Sequence, residues 1–301
     1  MAERLLNIIG AATSAGAYAP GQERAPQAFR RHGLLEALAS RGIALTDHGD
    51  LASFRWRPDP DRPQAMNLEA VRHACDLVAN EVARAIAAQE NVLVLGGDCT
   101  VELGTVAGAN EAGARIGLVY IDFDADLNTP GTSDGALDWT GVAHLLDMPG
   151  CEPLLAGIGP IRPMLLPQQM LYFGVQNITP PEATAIRDYA IELIPREEAL
   201  SDIKAAAMRA AEWAARFDCV LIHFDVDVLS FIDFPIAENV RRCDGLKLEH
   251  AAVVLKQLTA MPQWRGLTIT EVNPDHAPDE SAAFARLNDA LADVLAHPRA
   301  I

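Results

Sequence analysis

Basic residues are scarce in this chain: 24 lysines and arginines stand against 41 aspartates and glutamates, giving a formal charge of -17. That excludes nucleic acids and anionic membrane surfaces as partners, since both need a basic footprint. The five cysteines (Cys75, Cys99, Cys151, Cys219, Cys243) are odd in number, widely spaced and form no CxxC pair. They argue against a disulfide framework and for a reducing, cytoplasmic compartment. No stretch approaches the ~18 to 20 uninterrupted apolar residues of a membrane span. The apolar patch in MAERLLNIIGAATS is too brief for a secretory leader and reads as a first strand. Repeats, low-complexity tracts and linker-like breaks are absent as well. The 301 residues, half of them hydrophobic, are therefore expected to form one domain, 1–301, with one large core.

What is present is an alternation of strand and helix patterns. Strands are expected at Leu5–Ile9, Ile43–Asp47, Val92–Leu95, Leu118–Ile121, Leu171–Gly174, Ala190–Ile194, Val220–Phe224 and Leu267–Ile269. Helices are expected over Pro26–Arg41, from an Asn67 cap to about Gln89, over Thr140–Leu146, from Pro181, from a Ser201 cap to near Arg216, over Gly245–Thr259 and over Glu280–Leu295, with a helix or turn carrying Val101–Val106. Such alternation predicts an α/β fold with a parallel sheet covered by helices on both faces.

The most informative stretch is GLVYIDFDADLN, Gly117 to Asn128. A short apolar strand runs straight into Asp122, Asp124 and Asp126, whose period of two turns three carboxylates to one face. Carboxylates at near-contact distance repel and raise one another's pKa, so a dry site that holds them calls for divalent metal. The device recurs where Val220–Phe224 leads to Asp225 and Asp227. Five carboxylates from two strand ends suit two adjacent oxygen-loving ions. With GGDC after one further strand and TEVN after another, four strand ends carry chemistry. Ligand sites in such sheets lie outside the carboxyl ends of strands, so the four are expected to share one crevice.

GGDCT at Gly96–Thr100, DFDAD at Asp122–Asp126, FDVD at Phe224–Asp227 and EVNP at Glu271–Pro274, in this order and spacing, resemble the ureohydrolase family of arginases, agmatinases and formimidoylglutamases. The glycine-rich opening that leads to Gly33-Leu34-Leu35 is similar to an arginase start. The resemblance implies a three-layer arginase-like fold with a central parallel sheet of about eight strands, and a homo-oligomer, trimer or hexamer. It also implies two divalent ions, manganese foremost. One would take Cys99, Asp122, Asp126 and Asp225, the other Asp122, Asp124, Asp225 and Asp227, with Asp122 and Asp225 bridging. A hydroxide between the ions would attack a guanidinium carbon, expelling an amine and leaving urea. By the same resemblance Glu271 holds the substrate guanidinium, and His144 in TGVAH relays a proton to the leaving amine. Asn128 contacts the substrate tail, and Glu238 in FPIAEN lies close by.

Two positions depart from the family. Cys99 and Asp124 stand where it has histidines, so two neutral imidazoles become anionic groups. The thiolate leans toward zinc, iron or nickel, and the extra carboxylate leans back toward manganese or magnesium. His223 shares a strand face with Asp225 and is read as a supporting or packing residue ahead of a replacement ligand. The expected activity is hydrolysis of a linear C–N bond in a guanidino compound. A thiolate-bearing site resembles the hydroxyarginine hydrolases, which makes N-hydroxyarginine, releasing hydroxyurea, an alternative substrate. A metal-poor relative that binds a ligand without catalysis is the second alternative.

Overall fold

The computed structural model describes residues 5–296; residues 1–4 and 297–301 lie outside the described residues. The strands are β1 (Leu6–Thr13), β2 (Leu45–Phe54), β3 (Asn91–Leu95), β4 (Ile116–Ile121), β5 (Met170–Phe173), β6 (Glu192–Ile194), β7 (Cys219–Asp225) and β8 (Trp264–Thr270). The helices are α1 (Ala25–Arg31), α2 (Leu34–Ser40), α3 (Leu68–Ala87), α4 (Val101–Glu111), α5 (Gly141–Leu145), α6 (Pro153–Ala156), α7 (Pro180–Asp188), α8 (Arg196–Ser201), α9 (Ile203–Ala214), α10 (Leu248–Thr259) and α11 (Glu280–Leu295). All eight strands pair in parallel in the order β2-β1-β3-β8-β7-β4-β5-β6.

A parallel sheet covered on both faces needs strands that are apolar throughout, and β4 shows how this works. Val119 and Ile121 pack into the core on one face, while Leu118 and Tyr120 pack into the core on the other. Burying each such side chain contributes about 1.5–3 kcal/mol. The run therefore fixes the strand's depth, and its carboxyl end must emerge where the aspartates begin. The four strands whose ends carry GGDC, TEVN, FDVD and DFDAD are β3, β8, β7 and β4, consecutive neighbours at the centre of the sheet. Their registers align the ends: Ile121 pairs with Phe224, and Asp225 with Thr270. Asp122, one residue beyond Ile121, consequently emerges next to Asp225.

Several local expectations need correction. The helix expected over Pro26–Arg41 is two helices, because Gly33 takes a left-handed φ of 85° and turns the chain between α1 and α2. The strand expected at Ile43–Asp47 begins at Leu45 and continues to Phe54 along β1. Asn67 precedes α3 but does not cap it. Its backbone is left-handed, and its side-chain amide donates to the carbonyls of Ala15 and Arg57 instead. Ser201 ends α8. The cap of α9 is Asp202, which accepts from the N–H groups of Lys204 and Ala205. Among the described residues no helix is long and apolar enough to cross a membrane.

Candidate metal centre and active site

The site is a nest of buried acids at the carboxyl ends of β3, β8, β7 and β4. Asp122, Asp124, Asp126, Asp225, Asp227 and Glu271 are all buried, as is Cys99. A cavity of about 20 Å3, enough for roughly one water, is lined by Cys99, Asp126, Asp225, Asp227 and Glu271 together with Asp138 and Trp139. The turn that delivers Cys99 depends on Gly97, where a Cβ would fall 1.5 Å from the Thr13 carbonyl oxygen. The Gly97 carbonyl accepts from the N–H of Glu271 at 2.8 Å. Glu271 itself holds a left-handed φ of 60°. A non-glycine residue held there stores about 1–3 kcal/mol of strain, of the kind that concentrates at functional sites.

The carboxylates crowd one another. Burial pushes the Asp122 carboxyl well above the ordinary range, and Asp225, Asp126 and Asp227 push it further. Asp227 and Glu271 are raised in the same way, by burial and then by Asp225. Burial also raises Asp225, while bonds from the Cys99 thiol and the Asp227 N–H draw it back. Burial raises Asp126 against the pull of the Tyr120 hydroxyl, which donates to it at 2.6 Å. Cys99 is pushed well above the usual thiol value by burial and then by Asp225 and Glu271, and its Sγ donates to Asp225 Oδ2 at 3.0 Å. So many buried acids cannot all ionise unless cations join them.

Asp122 Oδ2, Asp227 Oδ1 and Glu271 Oε1 are buried and have no hydrogen-bond partner. Orphaned carboxylate oxygens within one acidic nest are what divalent cations require. Donor atoms fall into two groups, each within 4.8 Å of one another: Cys99, Asp122, His223 and Asp225, and then Asp122, Asp124 and Asp227. Asp126, expected with Cys99 in the first group, lies outside both groups and is held by Tyr120. His223 stands in that group instead, while its ring also stacks on Tyr120.

His144, expected to relay a proton, is bonded on both sides to backbone. Nδ1 donates to the Thr140 carbonyl at 2.7 Å, and Nε2 accepts from the Glu152 N–H at 3.0 Å. Both ring nitrogens are committed to backbone and burial depresses the pKa to about 4, so the ring stays neutral and keeps its proton. It does not line the cavity. Asn128 bonds Glu182 through its amide and accepts from Thr132 through its oxygen. Glu238 gives its backbone N–H to the Glu271 carbonyl at 2.7 Å, and its carboxylate takes the Asn273 amide.

Other residues at the site had weak sequence signals or none. Glu182 ties Thr179, Leu127 and Asn128 together, and the Thr-Pro-Pro-Glu capping pattern could have revealed it. Gln22 donates to Glu271 Oε2 at 3.1 Å from a segment 249 residues away. Arg242 clamps both oxygens of Asp124 at 2.7 and 2.8 Å. Nothing in RRCDG marks it.

The arginase family model matches residues 5–292 of this chain. Human mitochondrial arginase-2 is 30% identical over 301 residues, covering 96% of this chain and 83% of that protein. Human arginase-1 is 27% identical over 307 residues, covering 97% and 92%. The native structure of arginase from Bacillus caldovelox superposes with a TM-score of 0.87 at 23% identity, covering 97% of this chain and 98% of that one. A match over nearly the whole length, on a sheet whose four central strand ends carry the acidic nest, makes this chain a member of the arginase family.

Proposed function

We propose that the protein hydrolyses a linear C–N bond in a small guanidino compound, releasing urea and an amine. Family membership supports the reaction class, since arginase-family proteins act on C–N bonds of linear amidines. The observation that carries the reading for this chain is the set of orphaned, buried oxygens on Asp122, Asp227 and Glu271 at the ends of the central strands.

The donors fit divalent metal, manganese by family. Asp122 belongs to both halves of the nest, with Cys99, His223 and Asp225 on one side and Asp124 and Asp227 on the other. When bound, such ions lower the pKa of a coordinated water toward neutrality and supply a nucleophile. The chain's residues do the rest. Glu271, its Oε2 fixed by Gln22, offers Oε1 to the substrate guanidinium in a charge-assisted contact. The tight turn through Gly97 and the left-handed backbone of Glu271 hold that carboxylate against the pocket. Trp139 and Asn239 line the cavity wall beside the acids. Cys99 within the nest favours including N-hydroxyarginine among the substrates.

A release assay tests this. Protein loaded with manganese, cobalt or zinc is offered arginine, agmatine, guanidinobutyrate and N-hydroxyarginine. Urea or hydroxyurea should form from at least one of them and stop on chelation. Metal-loaded protein that cleaves none would refute the hydrolase reading.

A further inference from the structure

The two halves of the nest are not alike. His223 on β7 lies opposite Tyr120 of β4, and the two rings stack at 4.0 Å with 4° between their planes. The His223 ring is fully buried, with Nδ1 3.3 Å from Glu102 Oε2 and Nε2 3.2 Å from the Thr270 hydroxyl. That hydroxyl lies 3.3 Å from Cys99 Sγ, which is 3.0 Å from Asp225. A carboxylate on one ring nitrogen is how proteins orient a metal-ligating imidazole and raise its basicity. Glu102 arrives from α4 and is itself buried. On the opposite side Asp122 Oδ2 is buried without a partner.

The other half already holds a cation. The Arg242 guanidinium reaches both oxygens of Asp124 at 2.7 and 2.8 Å and stands 3.9 Å from Asp227. It also lies over the Phe123 ring at 4.9 Å, with its side chain only 16% exposed. The guanidinium gives two bonds to Oδ2 and one to Oδ1, and the Asn177 amide donates a second to Oδ1, so the lone pairs of Asp124 are already engaged.

We infer that the nest is an unequal pair of cation sites: Cys99, His223, Asp122 and Asp225 take one borderline transition ion, and a second ion enters at Asp124 and Asp227 only by displacing Arg242. The first set offers one thiolate, one imidazole and two carboxylates, a four-donor combination that suits zinc, cobalt(II) or iron(II) better than manganese. Tetrahedral ligand bonds of about 2.0–2.3 Å put donor atoms about 3.5 Å apart, which these side chains reach by small inward shifts from their present spacing of 4.8 Å or less. Binding requires the Cys99 thiol to lose its proton to solvent as the sulfur takes the ion, so uptake at this half releases a proton. The inference rests on the reading that the nest binds cations, but not on any catalytic step.

Cobalt(II) titration of the metal-stripped, full-length protein separates the alternatives, because thiolate ligation gives a charge-transfer band and tetrahedral geometry an intense visible spectrum. The first equivalent should bring both, and the second should bind about tenfold or more weaker without adding to the thiolate band. His223→Asn should abolish the tight first step. Glu102→Gln, which keeps the fold, should weaken that step by roughly 10- to 100-fold. Arg242→Ala should leave the first step unchanged and tighten the second by about tenfold or more. An unchanged first step and spectrum in both His223→Asn and Glu102→Gln would overturn the imidazole assignment. Two equal steps in the parent protein, or a second step indifferent to Arg242→Ala, would overturn the displacement. No cobalt uptake by any form would sink the cation reading itself, whereas the isotherms are independent of whether urea is released.

Discussion

Replacing His144 by Gln removes an imidazole that is fully buried and bonded at both nitrogens to backbone, at the Thr140 carbonyl and the Glu152 N–H. In the unfolded chain this histidine titrates near its ordinary 6.5, while in the fold burial depresses it to about 4. At pH 7 both states are essentially neutral and the group adds no pH dependence. As pH falls below 6.5 the unfolded chain takes up a proton that the folded chain refuses, so stability is lost until pH drops through about 4. At about 1.4 kcal/mol per pH unit, the loss is about 2 kcal/mol between pH 7 and pH 5 and about 3 kcal/mol in all. Full burial leaves no solvent screening to discount. The carboxylates of the nest run the other way: their folded values are raised, so acid favours the fold through them. The variant must therefore be compared with the parent at each pH. In urea unfolding, the stability advantage of the parent over His144→Gln should shrink by about 2 kcal/mol from pH 7 to pH 5. An advantage that is the same at both pH values would refute the buried, neutral imidazole. A free ring titrating near 6.5 in the folded protein would refute it equally.

Glu271→Gln should lower kcat/KM by about 2–4 kcal/mol, roughly 30- to 1,000-fold, through loss of a charge-assisted contact to the substrate cation. Metal content should be unaffected, and unchanged kinetics on a confirmed substrate would remove Glu271 from the site. Cys99 should resist iodoacetamide more strongly once ions are bound, and Cys99→His should raise manganese affinity while Cys99→Ser lowers it. If Cys99→Ala binds ions as tightly as the parent, the sulfur is not a donor.

The acidic nest was legible because its signal is local. An apolar run fixes where β4 and β7 end, and aspartates at period two then have nowhere to go but the sheet's carboxyl edge. The adjacency of the four strand ends was legible only as a rule about such sheets. Which strands neighbour which depends on the crossovers that place β8 and β7 between β3 and β4. Contacts made across the fold left no mark: Glu102 meets His223 over 121 positions and Arg242 meets Asp124 over 118. For His144 the sequence pattern marked the position but carried no sign of the two backbone bonds that hold the ring. In a helix of five residues the Thr140 carbonyl, four residues back, lies within reach and captures Nδ1. The long helix expected over Pro26–Arg41 failed for a local reason too, since the hydrophobic period continues through Gly33 although the backbone does not.

That Asp122 and Asp225 hold the ions on which hydrolysis depends is tested most directly by anomalous diffraction from crystals soaked in the activating metal. A peak about 2.0–2.3 Å from a carboxylate oxygen of each residue is the predicted result. Full hydrolytic activity with no anomalous density between Asp122 and Asp225 would contradict it.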